Sequence, residues 1–400
     1  MRHIELGYLQ ISDRAKRYVL AALDSNRLST GPFIQRFEQG FAAEHGCRHA
    51  VMCNSGTGAL QIALAALKER HGWQDGDEVL VPAVTFIATS NIVLQNRLTP
   101  VFVDADPVTY NLDPGQLERH LTPKTRAIIP AHLFGLPCDM GEILAIAKRR
   151  GLQVLEDSCE TMFVAYRGQK VGSFGAMGCF STYVAHLLVT GVGGLVTTND
   201  DELAIMCRSI MAHGRDAIYL SIDDDDAMKN EAARAQMIQR RFSFIRMGYS
   251  YRATELEGAL GVAALEDKTA MMAARRANGQ YLIKQMQPLS DYLQLPAIPS
   301  DREHAFMMFP LVLRPGVARE PLLNTLEAQG IETRYLMPLL NQPYYRRVFG
   351  NLEPRYPVAT HLNTQGFYIG CHQGLGREDL EYVVAVLTAY FRTAPAVTSR

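Results

Sequence analysis

None of the seven cysteines, at 47, 53, 138, 159, 179, 207 and 371, belongs to a C-x-x-C pair, and their number is odd. Scattered in this way they argue against a disulfide framework and read as buried free thiols in a reducing compartment. No cysteine lies between 207 and 371, so no compact iron–sulfur ligand cluster follows the segment around residue 186. An excess of either charge is also missing. Forty Lys and Arg stand against 41 Asp and Glu, a formal net charge of −1. A chain so balanced lacks the basic field of a general nucleic-acid binder. The pairs Arg240-Arg241 and Arg275-Arg276 read as solvated helix faces, and Asp223 to Asp226 as a solvated surface loop in preference to a metal site. No apolar stretch reaches the ~18 residues of a membrane span, and the opening MRHIELGYLQIS has no apolar signal core. The chain is therefore expected to be soluble and cytoplasmic, without nucleic-acid or membrane partners and without a metal.

What is present is ordinary globular composition, 48% hydrophobic and 20% charged, over a length that suggests two domains. From residue 45 short apolar runs alternate with helical spacing. HAVMCN predicts a strand and GTGALQIALAALKER a helix. The strands DEVLVPA, TPVFVDA, TRAIIPAHL and LQVLEDS then alternate with the helices TFIATSNIVLQN, DPGQLERHL and MGEILAIAKRRG. That alternation implies an α/β fold with a mostly parallel sheet covered by helices, and ligands bind such sheets beyond the carboxyl ends of the strands. AMGCFSTY and GGLVTTND predict two further strands around His186. A long helical stretch from Thr254 is long enough to link two domains, and after about residue 285 the pattern becomes that of a smaller α+β unit. The expected division is a large domain of residues 1–260 and a small C-terminal domain of residues 261–400.

Several residues sit where chemistry would be placed. In NSGTGAL a strand ends, Ser55, Gly56 and Thr57 turn, and a helix begins. A helix N-terminus with hydroxyls beside it suits a phosphate, and the same residues also suit a plain helix cap. In VLEDSCE, Asp157 ends a very apolar strand, where an unpaired carboxylate is expensive. A pyridine nitrogen is one suitable partner, and a structural ion pair or cap is another. Phe86 reads as a ring-stacking residue or a core aromatic, and Ser181 as a phosphate donor or a plain strand serine.

The order of NSGTGALQIAL, GDEVLVPAVTFIATSNIVL, PVFVDADPVTYNLDP, VLEDSCE, VGSFGAMGCFSTY, GYSYRATELEGALG and IETRYLMPLLNQPYY resembles the DegT-type nucleotide-sugar aminotransferases, over about residues 25–345. These are fold-type-I pyridoxal-phosphate enzymes. The resemblance implies that Gly56 and Thr57, with Ser55 adjacent, and Ser181 hold the cofactor phosphate. It implies that Phe86 stacks on the ring and Asp157 pairs with its nitrogen. Glu160 and Ser250 are also implied as cofactor-binding residues, Glu160 where the aminotransferases carry glutamine and Ser250 where they carry an asparagine that contacts the partner subunit's phosphate. A homodimer with shared active sites follows, with Ser250 and Tyr251 reaching across. Tyr183, Tyr251 and Arg334 are candidate substrate residues; Arg334 with Tyr335 would reach the nucleotide or the sugar, a structural arginine being the alternative, and His213 and Arg215 are weaker candidates.

Where the aminotransferases carry their Schiff-base lysine, this chain has His186. An imidazole cannot form that bond, yet it is a competent neutral base near pH 7. YVAHLLVTGVGG is similar to the sugar 3-dehydratase branch of the family, which has this replacement. Val192 departs from an acidic residue often found there. The implied activity is C-3 dehydration of a nucleotide-linked 4-keto-6-deoxy sugar. It would use pyridoxamine 5'-phosphate or pyridoxal 5'-phosphate, with His186 as catalytic base, glutamate as amino donor and no iron–sulfur cluster. The alternatives are an aminotransferase with His186 as proton shuttle, a non-catalytic sugar- or cofactor-binding homologue, and a histidine placed there by deliberate replacement. Lys170, in a turn before the next strand, is not expected to substitute.

Overall fold

The computed structural model describes residues 2–216, 231, 235, 238 and 242–393. Two helices, α1 (Asp13–Asp24) and α2 (Pro32–Glu44), precede β1 (His49–Cys53) and α3 (Gly56–His71). Alternation follows through β2 (Glu78–Pro82), α4 (Ile87–Gln95), β3 (Thr99–Val103), β4 (Thr125–Ile128), α5 (Met140–Arg150) and β5 (Gln153–Asp157). A small hairpin, β6 (Ala165–Tyr166) and β7 (Gln169–Lys170), leads to β8 (Met177–Ser181), β9 (Gly194–Thr198) and α6 (Asp201–Met211). The sheet has seven strands in the order β1-β9-β8-β5-β4-β2-β3. Neighbours from β8 to β3 run parallel, and β9 is antiparallel to both β8 and β1. β8 and β9 are buried at every position, as strands covered on both faces of a sheet are. Helix α3 is buried almost all round, so it carries little apolar periodicity.

Helix α7 (Glu255–Met286) then crosses the molecule. Its Val262 and Met272 pack in the core of the large sheet, and its Leu282 and Met286 in a second core. That second core lies on a four-stranded antiparallel sheet, ordered β10-β11-β13-β12. Its elements are β10 (Leu293–Gln294), β11 (Met308–Leu313), α8 (Arg319–Ala328), β12 (Arg334–Tyr335), α9 (Pro343–Phe349), α10 (Pro357–Gln365), β13 (Gly366–Gly370) and α11 (Arg377–Thr393). The boundary expected at 260/261 falls inside α7. The second core also takes Ile4, whose amide donates to Gly330 and whose carbonyl accepts from Glu332. Among the described residues, no helix is long and apolar enough to cross a membrane.

Two expectations change. DPGQLERHL forms two 3₁₀ turns, Pro114–Gln116 and Glu118–His120, and no α-helix. The Asp113 carboxylate accepts from the Gly115 amide at 2.9 Å, and a side chain that turns the backbone locally competes with a helix too short to nucleate. Arg275 is not on a solvated face. It is 1% exposed, and Nη1 donates to the carbonyls of Phe306 and Met307 at 3.2 and 3.0 Å. Arg240, Arg241 and the run Asp223 to Asp226 lie outside the described residues.

Helix α2 shows how the layers are tied. Its N-cap, Gly31, has no side chain to offer, so its free amides are served from α7. Buried Glu255 accepts from Phe33 and Ile34, each at 2.9 Å. A Cβ at Gly31 would stand 2.8 Å from the Glu255 carboxyl carbon, so the glycine makes room for the cap. Glu255→Ala should therefore cost about 2–3 kcal/mol in urea unfolding, with Glu255→Gln losing less, because two buried donors lose a charged acceptor.

Candidate active site

Strand direction decides where functional side chains meet. The carboxyl ends of β1, β2, β4, β5 and β8 point the same way, and antiparallel β9 brings its amino end to the same edge. There the chain lines a cavity of about 370 Å³. Ser55, Gly56, Thr57, Phe86, Asp157, Glu160, Ser181, Tyr183 and His186, all singled out from sequence, lie on its wall. Ser250, Tyr251 and Arg334 do not.

At one end of the cavity α3 begins. Ser55 is its N-cap, and its Oγ accepts from the Gly58 amide at 2.9 Å. The cap reading is therefore correct for that hydroxyl. It also leaves the first amides of a sixteen-residue helix, at Gly56 and Thr57, pointing out of the helix toward the cavity end. Gly56 packs against the wall opposite. A Cβ there would stand 2.6 Å from the Ser181 Cβ and 2.9 Å from the Cys159 Sγ. Nothing larger than glycine keeps the helix start this close to β8.

Alternation along β5 separates two adjacent acids. Glu156 turns away from the cavity and is fully buried. It accepts from the amides of Gly172, Phe174 and Gly175 at 2.7, 2.7 and 2.9 Å and meets His132 Nε2 at 3.1 Å. Asp157 turns into the cavity. Its Oδ2 accepts from Thr89 Oγ1 at 2.7 Å and its Oδ1 from the Cys159 amide at 3.2 Å. Thr85 lies 2.8 Å from Thr89, and because Thr89 gives its proton to Asp157, Thr85 is the donor there. Sequence reasoning missed Glu156, Thr85 and Thr89. The Glu-Asp pair at a strand end was a usable signal, since neighbouring strand residues face opposite ways. Nothing local marks the threonines.

His186 lies in the loop from Thr182 to Gly193, between β8 and β9. The loop is closed at its neck. The Thr182 amide donates to Gly193 and the Thr190 amide to Thr182, both at 2.9 Å, while the two threonine hydroxyls share a 2.6 Å hydrogen bond. Gly193, at φ +150°, has no space for a Cβ, which would stand 2.4 Å from the Thr182 hydroxyl. Within the loop the His186 amide donates to the Tyr183 carbonyl at 2.9 Å, and the Tyr183 ring meets the imidazole edge-on at 6.1 Å. Imidazole Nδ1 is buried and has no hydrogen-bond partner. Burial pushes the His186 pKa down to about 4. The Ser181 backbone opposes that shift, and the Arg275 charge adds to it. The ring is thus a neutral base across the physiological range.

The opposite wall comes from the smaller unit, through Met307, Met308, Met337 and Tyr368. Glu160 faces it. Its Oε2 accepts from the Phe134 amide at 2.8 Å, and burial, with the Asp157 charge adding, pushes its pKa up to about 7. Arg334 pairs in register with Tyr368 across β12 and β13, so it stands on the same face, exposed beside the cavity. Tyr335 is taken up by Glu320, which its hydroxyl reaches at 3.1 Å, and by Arg319 over its ring. Ser250 is exposed and accepts from Arg252 at 3.2 Å, and Arg252 in turn lies 3.4 Å from His213. The Tyr251 ring stacks on Tyr249, and its carbonyl accepts from the Asn54 amide just before the Ser55 turn. Lys170 lies outside the cavity, tied to the Phe163 carbonyl at 3.0 Å and near Glu303. No lysine lines the cavity among the described residues.

These residues fit a pyridoxal-type cofactor bound without a covalent link. The start of α3, with Thr57 and Ser181, offers donors to a phosphate, and Phe86, 60% exposed at the mouth, offers a ring face. Asp157 is a buried acceptor on the cavity wall, and the unpartnered His186 Nδ1 is a site for a proton.

The family described as DegT/DnrJ/EryC1/StrS aminotransferase matches residues 9–388. A GDP-perosamine synthase of Caulobacter vibrioides is 35% identical over 96% of this chain and 97% of its own. A dTDP-4-dehydro-2,6-dideoxy-D-glucose 3-dehydratase of Saccharopolyspora spinosa is 32% identical over 93% of this chain and 83% of its own. The structure of GDP-4-keto-6-deoxy-D-mannose-3-dehydratase from Escherichia coli, with bound hydrated PLP, superposes with a TM-score of 0.87 at 28% identity, over 97% of this chain and all of that one. With the strand order, the helix-start cradle and the buried aspartate already in place, the match over nearly the whole length settles descent: the chain belongs to the DegT/DnrJ/EryC1/StrS aminotransferase family.

Proposed function

We propose that this chain removes water at C-3 of a nucleotide-linked 4-keto-6-deoxy sugar, with pyridoxamine phosphate as the working cofactor and His186 as the base. The observation that carries this reading is the pairing of a cavity with no lysine among the described residues and a neutral imidazole on its wall whose Nδ1 has no partner. When bound, the cofactor supplies an amine that condenses with a ketone and a ring that accepts electrons. The chain's own residues do the rest. The α3 start, Thr57 and Ser181 hold the phosphate, and Phe86 covers one ring face. Asp157 keeps a proton on the ring nitrogen by a charge-assisted hydrogen bond. His186 takes a proton from carbon and can return it, and it never captures the cofactor.

Two relatives whose names state 3-dehydratase activity support the same outcome. Glutamate is the proposed amino donor that regenerates pyridoxamine, with no iron–sulfur cluster, since the cysteines are dispersed. We place the reaction in the cytoplasm and in a homodimer, where Ser250, Tyr251 and the exposed Phe242 and Met247 would meet a second copy. Transamination without water loss is the rival outcome, favoured by the 35% identity to a perosamine synthase. The product decides between them. Incubation of a panel of 4-keto nucleotide sugars with pyridoxamine phosphate and glutamate should give, by mass spectrometry, a product lacking one oxygen. Amino sugar alone would sink the dehydratase reading.

Removal of the base should be equally legible. His186→Asn should lower kcat/KM about 10²–10⁴-fold while still binding the cofactor. His186→Lys should turn the protein yellow with pyridoxal phosphate and make the cofactor reducible onto the chain by borohydride, which the wild type resists. Because burial holds His186 near 4, the neutral base persists on acidification. The acid limb of kcat/KM should lie below about pH 5. An imidazole at its ordinary ~6.5 would already have lost about tenfold at pH 5.5.

A further inference from the structure

Two carboxylates enter the cavity three residues apart, and the protein equips them unequally. Asp157 has a donor on each oxygen, Thr89 Oγ1 at 2.7 Å and the Cys159 amide at 3.2 Å. Glu160 has one donor, the Phe134 amide at 2.8 Å on Oε2. Both side chains are buried and both line the same wall. Like charges so placed oppose joint ionisation, and the carboxyl with fewer donors keeps the proton. The groups that face Glu160 do not reverse this. Asp157 and Cys159 come from the end of β5, and Tyr368 from β13 with Arg334 beside it on β12. His186, neutral, comes from the loop after β8. No ion pair holds Glu160 among the described residues, and burial is the largest influence on it.

We infer that Glu160 is the acid that delivers a proton to the departing C-3 hydroxyl, so that base and acid are different side chains. The inference rests on the dehydratase reading and adds a residue to it. The step balances without a further reagent. His186 takes a proton from carbon, and the electron pair so released displaces the C–O bond pair onto oxygen. The Glu160 carboxyl gives its proton to that oxygen, which leaves as water. His186 ends protonated, Glu160 ends ionised, and nothing is oxidised or reduced overall. An aminotransferase, which expels no hydroxyl, has no use for a proton at this position. The glutamine expected there in aminotransferases fits that difference.

Glu160→Gln keeps the acceptor for the Phe134 amide and removes the acid. In protein without cofactor, the infrared difference between wild type and Glu160→Gln should contain a protonated carboxyl band that disappears as pH rises through about 7. With cofactor and ketone, the variant should lose water about 10²-fold more slowly and shift its product toward amino sugar. Wild type should show a basic limb near pH 7 that the variant lacks. Glu160→Asp should restore part of the water loss, and it carries the test if the glutamine variant folds poorly. A carboxyl band that ionises near the ordinary ~4.3, or a glutamine variant that dehydrates at the wild-type rate, overturns the inference and leaves the dehydratase reading standing. A wild type that yields only amino sugar overturns both.

Discussion

A carboxylate at the end of β5 is buried in the cavity wall, and much of the site supplies its hydrogen bonds. A buried carboxylate without hydrogen-bond donors is costly. Asp157 is served by a short chain of donors, Thr85 to Thr89 to Oδ2, with the Cys159 amide on Oδ1. Those donors come from the turn after β2, from α4 and from the turn after β5, so the order in which strands cross the sheet supplies the acid's environment. Behind it, Glu156 fixes the backbone of β5 by collecting three amides from the turn at 172–175. One acid serves the fold and its neighbour serves the site, and the two-residue period of a strand allocates them.

The same burial acts in opposite senses on two other titratable groups of the cavity, His186 and Glu160. It disfavours charge, so it strips the proton from His186 and leaves one on Glu160. A base that is unprotonated and an acid that is protonated near neutral pH are the two partners an elimination of water requires. Neither needs a dedicated ion partner. Arg275 contributes at a distance. Its buried charge opposes protonation of His186, and its hydrogen bonds to Phe306 and Met307 hold the start of the wall that closes the cavity from the smaller unit.

Much of this was legible because it is local. The strand, turn and helix of NSGTGAL and the apolar strand ending in Asp157 carry their geometry in a few adjacent residues, and the structure places them as read. What escaped depends on distant contacts. Tyr368 and Met307 enter the cavity only because the antiparallel sheet packs over the parallel one. Thr89 matters only because α4 crosses beside β5. Arg275 looks like half of a surface pair until the carbonyls of Phe306 and Met307, just outside the β11 ladder, are found needing donors. The 113–121 segment misled for the opposite reason, since its local turn chemistry at Asp113 outweighs its helical spacing.

Replacing lysine by histidine changes more than one bond. A lysine in this cavity would hold the cofactor by covalent capture, and the remaining contacts would need only to orient it. With an imidazole, on the proposed reading, the phosphate cradle at the start of α3, the Phe86 ring and the Asp157 contact would have to supply the affinity, because no lysine lines the wall among the described residues. The closed Thr182–Thr190 neck then has a purpose beyond folding. On the proposed reading it would hold His186 in one place over a cofactor with no covalent link to the chain, so that proton transfer would depend on the rigidity of the loop.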